Sequence, residues 1–268
     1  MAEFAGGSLT SIALCWTLER RDGAGFACTV HDESIRSNGQ YFEAAPGLNP
    51  AAIIRGSGDE PHGEATGALT SDSLREKDLL AGRWDGARSQ MSAVDWKRPD
   101  QEPVVLTEGD IGDIAVDGDG FQADLLGPAD RLKAAVCPTT SPECRATLGD
   151  KQCRVNMAGR SLRVRVVSAT ANQIVVDRVV SSAFSKGKAR WLSGENCGLR
   201  ASVSSCDDRS VVLREVPRCP VRAGELLVLY EGCDKRLETC RLRFGNVANF
   251  RGEPHLPGND LLTRYPGA

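Results

Sequence analysis

Residues 161–181, SLRVRVVSATANQIVVDRVVS, contain two short Val- and Ile-rich runs in which apolar and polar residues partly alternate. Three further runs of the same kind follow at residues 198–204, 210–216 and 225–232. Short strand-like runs that recur at spacings of roughly 10 to 15 residues are typical of a small antiparallel barrel or sandwich. We therefore predict that this half of the chain forms a compact antiparallel β unit.

The region before residue 127 also reads as mainly strands. Residues 12–20 and 25–32 flank the turn-forming sequence DGAG and predict a hairpin. Further strands are predicted at 39–44, 89–96, 103–116 and 120–127. One helix is predicted within 70–82, because Ser73 and Glu76 have the spacing of a capping box and Gly82 follows as a stop.

These patterns predict a mainly β protein with two β-rich domains. We place the N-terminal domain, with its short helix, at residues 1–130. The C-terminal domain, at residues 131–268, would be a small antiparallel β barrel followed by an irregular segment.

Charge and hydropathy exclude several functional classes. The 268 residues carry 33 Lys and Arg against 36 Asp and Glu, a formal charge of −3. A general binder of nucleic acid or other polyanions would be strongly basic, so we do not expect one. No run of about 18 apolar residues is present, so we expect no membrane span. The first residues lack the basic region of a secretory signal, and we expect folding in a reducing cytosol.

Ten cysteines in such a protein favour metal binding over a disulfide framework. Cys15 and Cys28 lie in strand-like apolar runs and are expected to be buried free thiols. The other eight cysteines fall between Cys137 and Cys240. The candidate site therefore belongs to the second half of the chain.

Two cysteine pairs flank the predicted barrel. Cys144 and Cys153 are separated by eight residues, and Cys233 and Cys240 by six. If the first and last barrel strands lie side by side, these thiols could tie the two flanks together. Structural zinc usually takes C-x(2–4)-C pairs, which are absent here. The wider spacing favours an iron–sulfur cluster, with zinc or unligated thiols as alternatives.

The same segments resemble a known family. CRATLGDKQC at 144–153 and GCDKRLETCRLRFGNVANFRGEPHLPG at 232–258 are similar to sequences of the baseplate hub protein of gene transfer agents and siphophage-like tails. They also resemble the C-terminal part of the tail-tip iron–sulfur protein of lambda-like phages. Upstream, GALTSDSLREKDLLAGRWDGA at 67–87, followed by VDW at 94–96, resembles the N-terminal hub domain, so the resemblance covers nearly the whole chain.

The resemblance implies a cofactor and its ligands. It implies that Cys144, Cys153, Cys233 and Cys240 bind a 4Fe–4S cluster, with Cys137 as a possible substitute for Cys144. Glu253 departs from the family pattern, since many relatives have an aromatic residue there. This departure puts a local packing contact in doubt but not the cluster.

The resemblance also implies a function and partners. We expect a structural, non-enzymatic component of a phage or gene transfer agent baseplate, at the tip of the particle tail and synthesised in the bacterial host cytoplasm. It would form a homotrimer that links the tail tube, through a distal tail protein, to a large tip or fibre-bearing protein, with a cell-wall peptidase alongside. DNA would pass through the pore without sequence-specific binding. A zinc-stabilised β adapter and, less favoured, a cluster-dependent enzyme are the alternatives.

Overall fold

The computed structural model describes residues 11–44, 48–50, 62–68, 75–98, 100–117, 120–127, 132–133 and 137–255. The chain divides into two compact units, residues 1–136 and residues 137–268. The boundary lies six residues beyond the one set from the sequence. Strands dominate both units, so the predicted mainly β fold is confirmed.

The first unit is built around one sheet. Nine strands have the order β3-β4-β2-β1-β7-β8-β9-β6-β5. Their bounds are β1 Ile12–Glu19, β2 Gly25–Thr29, β3 Ile35–Ser37, β4 Gln40–Ala44, β5 Leu48–Pro50, β6 His62–Ala68, β7 Arg88–Asp95, β8 Val104–Asp117 and β9 Gly120–Leu126. Neighbouring strands are antiparallel except β2 and β4, which are parallel. The predicted hairpin is present as β1 and β2.

Both faces of β1 are covered. Trp16 and Leu18 belong to one apolar cluster, whereas Ala13 and Cys15 belong to another. Cys15 and Cys28 are buried, as predicted, and burial raises the pKa of Cys28 to about 12. These two thiols therefore serve as small apolar side chains.

The predicted helix is present but short. Helix α1, Glu76–Leu80, begins after Arg75, whose side chain makes no capping hydrogen bond. Gly82 ends it with a φ of +70°, as the sequence predicts. The proposed capping residue, Ser73, lies outside the described residues.

The second unit contains a closed six-stranded barrel. The order around it is β10-β11-β14-β13-β12-β15, and every pairing is antiparallel. The bounds are β10 Ser161–Thr170, β11 Gln173–Val176, β12 Lys188–Trp191, β13 Arg200–Asp207, β14 Ser210–Leu213 and β15 Leu226–Tyr230. The predicted barrel is confirmed, but β12 was missed by the sequence analysis.

Inward-facing side chains fill the barrel. Val164 and Val166 of β10, Trp191 of β12 and Leu227 and Leu229 of β15 are all at most 2% exposed. Each fully buried side chain of this size contributes about 1.5–3 kcal/mol. The barrel is therefore stabilised by its own apolar core.

The segments on either side of the barrel are largely irregular. The leading segment comprises residues 137–160 and the trailing segment residues 231–255. The trailing segment is not wholly irregular, because it contains helix α2, Leu237–Leu242, and a short 3-10 turn at Val247–Asn249. In the described part of the chain, no helix is both long and apolar enough for a membrane span.

Candidate metal centre

Barrel closure brings the leading and trailing segments to the same place. Strands β10 and β15 are antiparallel neighbours, and Ser161 at the start of β10 pairs with Tyr230 at the end of β15. The chain therefore enters and leaves the barrel at one end. The four thiols that lie just outside that end are Cys144, Cys153, Cys233 and Cys240.

Main-chain hydrogen bonds join the two segments directly. The N–H of Cys144 donates to the carbonyl of Lys235 at 2.9 Å, and the N–H of Arg145 donates to the carbonyl of Arg251 at 2.9 Å. The ammonium group of Lys235 donates in return to the carbonyl of Ala146. The first cysteine of each pair is thus held within a short cross-linked patch of backbone.

The four thiols lie close enough to influence one another. Burial raises the pKa of Cys240, and the charges of Cys144, Cys233 and Cys153 raise it further. Burial also raises the pKa of Cys233, and the charges of Asp234 and Cys144 raise it further. Four thiolates in one place repel each other, so a cationic group among them would offset that cost.

Each of the four cysteines is also approached by an N–H donor. The main-chain N–H groups of Lys235 and Arg251 lie 3.4 Å from the Sγ atoms of Cys233 and Cys144, respectively. The side chain of Asn246 lies 3.8 Å from the Sγ of Cys153, and its main-chain N–H lowers the pKa of Cys240. Such donors favour thiolates and tune iron–sulfur clusters.

Asp150 shapes the loop between the first two cysteines. Its carboxylate accepts the main-chain N–H groups of Thr147, Gln152 and Cys153 at 2.6–2.9 Å. These bonds, that of Cys153 first, hold the pKa of Asp150 below its usual range. Because the loop carries its own internal hydrogen bonds, Cys153 does not depend on a regular element for its position.

Glu253 clasps the two segments together. Its carboxylate makes two hydrogen bonds with the guanidinium of Arg145, at 2.7 and 2.9 Å, and accepts the N–H of Ser141 at 2.8 Å. These contacts, that with Arg145 first, lower the pKa of Glu253 to about 2. An ion pair therefore occupies the position where the family resemblance implies an aromatic contact. We call these three residues the Glu253 clasp.

A second polar group fixes the trailing segment to the barrel end. Glu231 accepts hydrogen bonds from Arg160 and Arg243, each at 2.7 Å. Both guanidinium groups also lie over the ring of Phe244, at 5.1 and 4.8 Å from its centroid. The irregular run after Cys240 is therefore held by side-chain contacts rather than by a core of its own.

The remaining cysteines of the second unit differ in exposure. Cys137 is exposed, and its role as a substitute for Cys144 stays a prediction. Cys197 is exposed, and its Sγ lies 3.2 Å from the carbonyl oxygen of Leu192. Cys206 lies in the barrel core, where burial raises its pKa to about 11.

The described residues do not contain a preformed site for a single metal ion. Within the described residues, no group of three or more His, Cys, Asp or Glu side chains is placed to hold a single ion. A tetrahedral zinc site would need four sulfurs at about 2.3 Å from one centre. The role of the four thiols as ligands, for zinc or for an iron–sulfur cluster, therefore stays a prediction.

Sequence reasoning found the cysteines but missed the groups that position them. Asp150 and Asn246 were not singled out, although Asn246 lies in the FGN sequence that carried the family resemblance. Asp150 acts through hydrogen bonds within its own loop, whereas Asn246 contacts Cys153, which is 93 positions away. Such pairings leave no periodic signal in the sequence.

The fold and this site define a two-unit β protein whose barrel ends are joined at a cluster of four thiols. Residues 1–156 match the family described as baseplate hub protein, N-terminal attachment domain. The chain belongs to this family. Residues 182–260 match a second family, described as phage conserved hypothetical protein BR0599.

A solved structure is similar over the whole chain. It is a chain from the virion of a native gene transfer agent particle, with 32% sequence identity and a TM-score of 0.87. The similarity covers 99% of this chain and 95% of that one. No curated protein matches. The protein is therefore a structural component of a phage-type tail baseplate, is located in the virion tail and works with other tail proteins.

Proposed function

We propose that this protein is the baseplate hub that links the tail tube to the tip and receptor-facing proteins. In this proposal a 4Fe–4S cluster bound by Cys144, Cys153, Cys233 and Cys240 holds its second unit together. The observation that carries the proposal is the meeting of four thiols from both ends of a closed barrel, in a chain that belongs to the baseplate hub family.

The donor set fits an iron–sulfur cluster. Four cysteine thiolates are its usual ligands, and N–H donors near the sulfurs are the usual means of tuning it. A cluster would supply positive charge among four thiolates and would cross-link Cys153 to Cys233, which are 80 residues apart in the sequence. Zinc remains the alternative metal, with the same stabilising role and no redox chemistry.

The chain's own residues would perform the mechanical part of this role. The Glu253 clasp and the pairing of Cys144 with Lys235 hold the two segments against each other. Glu231 then ties the trailing segment to the barrel end. A part held in this way can keep its shape while force or DNA passes the tail tip.

The assembly proposal follows the family resemblance. The hub would be a homotrimer between a distal tail protein and a large tip or fibre-bearing protein, with a cell-wall peptidase as neighbour. DNA would cross its pore without sequence-specific contacts. We expect no enzymatic activity, and the particle would be either an infectious phage or a gene transfer agent.

Metal analysis of anaerobically purified protein tests the cluster. We expect iron and sulfide in equal amounts and a broad absorbance near about 400 nm, and each of the four Cys→Ser variants should lose both. Cys197→Ser is the matched control, since Cys197 is an exposed thiol outside the site. Colourless protein that contains zinc would establish the alternative metal. A cluster that survives the loss of one ligand would indicate an open iron site and favour an enzyme.

Cryo-electron microscopy of the assembled tail tip tests the hub role. Three copies between the tail tube and the tip proteins would agree with the proposal. A peripheral location or another copy number would contradict it.

A further inference from the structure

The two units have opposite formal charges, although the net charge of the whole chain is close to zero. Residues 1–136 contain 12 Lys and Arg against 23 Asp and Glu, a formal charge of −11. Residues 137–268 contain 21 Lys and Arg against 13 Asp and Glu, a formal charge of +8. The total of −3 therefore says little about either unit, and the second unit is strongly basic.

Part of this positive charge lines a groove on the barrel. The groove has a volume of about 770 Å³ and runs along the outside of β12 and β13 toward the trailing segment. Six cationic side chains line it: Lys186, Lys188, Arg190, Arg200, Arg214 and Lys235. We call it the basic groove.

The outward face of β12 supplies the middle of the basic groove. Ala189 and Trp191 point into the barrel core, so Lys188 and Arg190 point outward. Arg190 lies directly opposite Arg200 of β13. Like charges in opposed positions of an antiparallel pair destabilise a sheet. The free barrel thus carries an unfavourable contact that an anion in the basic groove would relieve.

The cations on the outward faces of β12 and β13 have no ion-pair partner in the described part of the second unit. Across residues 137–255, no ion pair joins Lys188, Arg190 or Arg200 to a carboxylate. Three acidic residues also line the groove, namely Glu143, Glu231 and Asp234, so the six cations leave a formal excess of three positive charges. Glu231 binds Arg160 and Arg243, and Asp234 accepts the hydroxyl of Thr239 at 2.8 Å.

Part of the lining of the basic groove is apolar. Leu148, Met157 and Tyr230 line it and are each half-buried. A groove that combines cations with aliphatic side chains suits a polypeptide with acidic and apolar residues. Nucleic acid would favour several aromatic residues for base stacking, whereas Tyr230 is the one aromatic residue among the described residues that line the groove.

We propose that the basic groove binds an extended acidic segment of another baseplate protein. This inference rests on the proposed hub function, because a hub needs docking surfaces for its neighbours. A concave groove of this size admits an extended segment, whereas two folded units would meet through a flatter and larger surface. Carboxylates of the segment would lie between Arg190 and Arg200, and its apolar side chains would contact Leu148 and Met157.

Fluorescence anisotropy with the full-length, metal-loaded protein tests this proposal. The probe is a fluorescein-labelled peptide in which Glu and Leu alternate, compared with polyglutamate and with a single-stranded oligothymidylate. We expect the alternating peptide to bind most tightly and its affinity to fall as salt is added. Arg190→Glu together with Arg200→Glu should weaken it by at least about tenfold. The matched control, Arg209→Glu with Arg218→Glu, makes the same charge change at exposed positions outside the groove and should stay within about twofold.

The thermal stability of one variant separates binding from a structural role. Arg200→Gln should weaken peptide binding yet raise the Tm of the free protein, because it removes the opposed charge. A lower Tm would mean that Arg200 supports the fold and would overturn the proposal. So would equal loss of binding in the control variant, or no binding of the peptide.

Two further results would show that the basic groove binds something other than an acidic peptide segment and would overturn the proposal. Oligothymidylate that binds as tightly as the peptide would identify a nucleic-acid surface. Self-association in sedimentation velocity that is lost in the Arg190→Glu, Arg200→Glu variant would identify a second copy of this chain. The iron content of the same samples shows whether a change in peptide binding is accompanied by loss of the cluster. Failure of this proposal can therefore be told apart from failure of the cluster proposal.

Discussion

Within the second unit, the barrel and the segments that flank it are stabilised by different means. The barrel contains a continuous apolar core that includes Trp191 and Leu229. In the described part of the two flanking segments, the buried apolar residues are Ala146, Cys153 and Cys240. Two of these three are candidate ligands. The leading and trailing segments therefore depend on polar contacts, each with a net contribution of about 1 kcal/mol, and on the metal or cluster that the thiols are proposed to bind.

The sharpest test of this difference compares two leucines. Leu229 is fully buried in the barrel, whereas Leu242 in α2 is 70% exposed. Leu229→Ala should lower the free energy of unfolding by about 2–5 kcal/mol through lost burial and a cavity. Leu242→Ala should change it by less than about 0.5 kcal/mol. Chemical denaturation of both variants measures this, and equal effects would show that the trailing segment has an apolar core of its own.

Metal removal should separate the two regions. Hydrogen exchange of the protein before and after anaerobic chelation reports each region by itself. We expect amides of residues 141–153 and 233–253 to exchange much faster without metal, while β10 and β15 stay protected, because the barrel has its own core. Loss of protection throughout the barrel would instead show that the barrel also depends on the metal for its stability. If exchange is unchanged in both regions, the metal does not stabilise the protein.

The Glu253 clasp should give the smallest effect and a dependence on pH. Its folded pKa of about 2 lies below the ordinary value of 4.5, so the ionised form stabilises the clasp. That contribution is complete above pH 4.5 and is lost as the pH falls from there toward 2. Protection of the Arg145 and Glu253 amides should decrease over this range. In the Glu253→Gln variant, their protection should already be low at neutral pH and should change less with acid.

Two controls limit the interpretation of the acid effect. Arg178 and Asp177 form an exposed ion pair elsewhere on the same unit, so Asp177→Asn should leave the clasp amides unchanged. If acid opens the segment equally in Glu253→Gln and in the unmodified protein, then the clasp does not control it.

Strand periodicity predicted most of the architecture. Alternation identified β10, β13, β14 and β15, and the turn DGAG identified the hairpin of β1 and β2. It missed β12, KARW, because four residues with two cations and a small Ala carry a weak apolar signal. Only its neighbours β13 and β15 make it a strand, through antiparallel pairing on both sides. The missed strand supplies Lys188 and Arg190 to the basic groove.

Helix α2 was missed for a related reason. Leu237–Leu242 was read as part of an irregular tail, and its helical form buries Cys240 while Leu242 remains exposed. A helix this short has little stability of its own. Its N-terminal turn is supported by Asp234, which accepts the N–H of Arg236 and the hydroxyl of Thr239. Contacts around the thiols, rather than helix propensity, determine its position.

The sequence alone determined the barrel, the buried thiols of the first unit and the identity of the four clustered cysteines. The barrel and the buried thiols follow from the two-residue period of strands, whereas the four cysteines follow from their spacing together with the family resemblance. Tertiary structure alone decided that Asp150, Asn246 and Glu253 position the site, and that Arg190 opposes Arg200. The hydrogen bonds of Asp150 are local, but side-chain contacts of this kind leave no periodic pattern. Those of Asn246 and Glu253, and the pairing of Arg190 with Arg200, form only when barrel closure brings separate parts of the chain together, because register is not specified by short-range patterns.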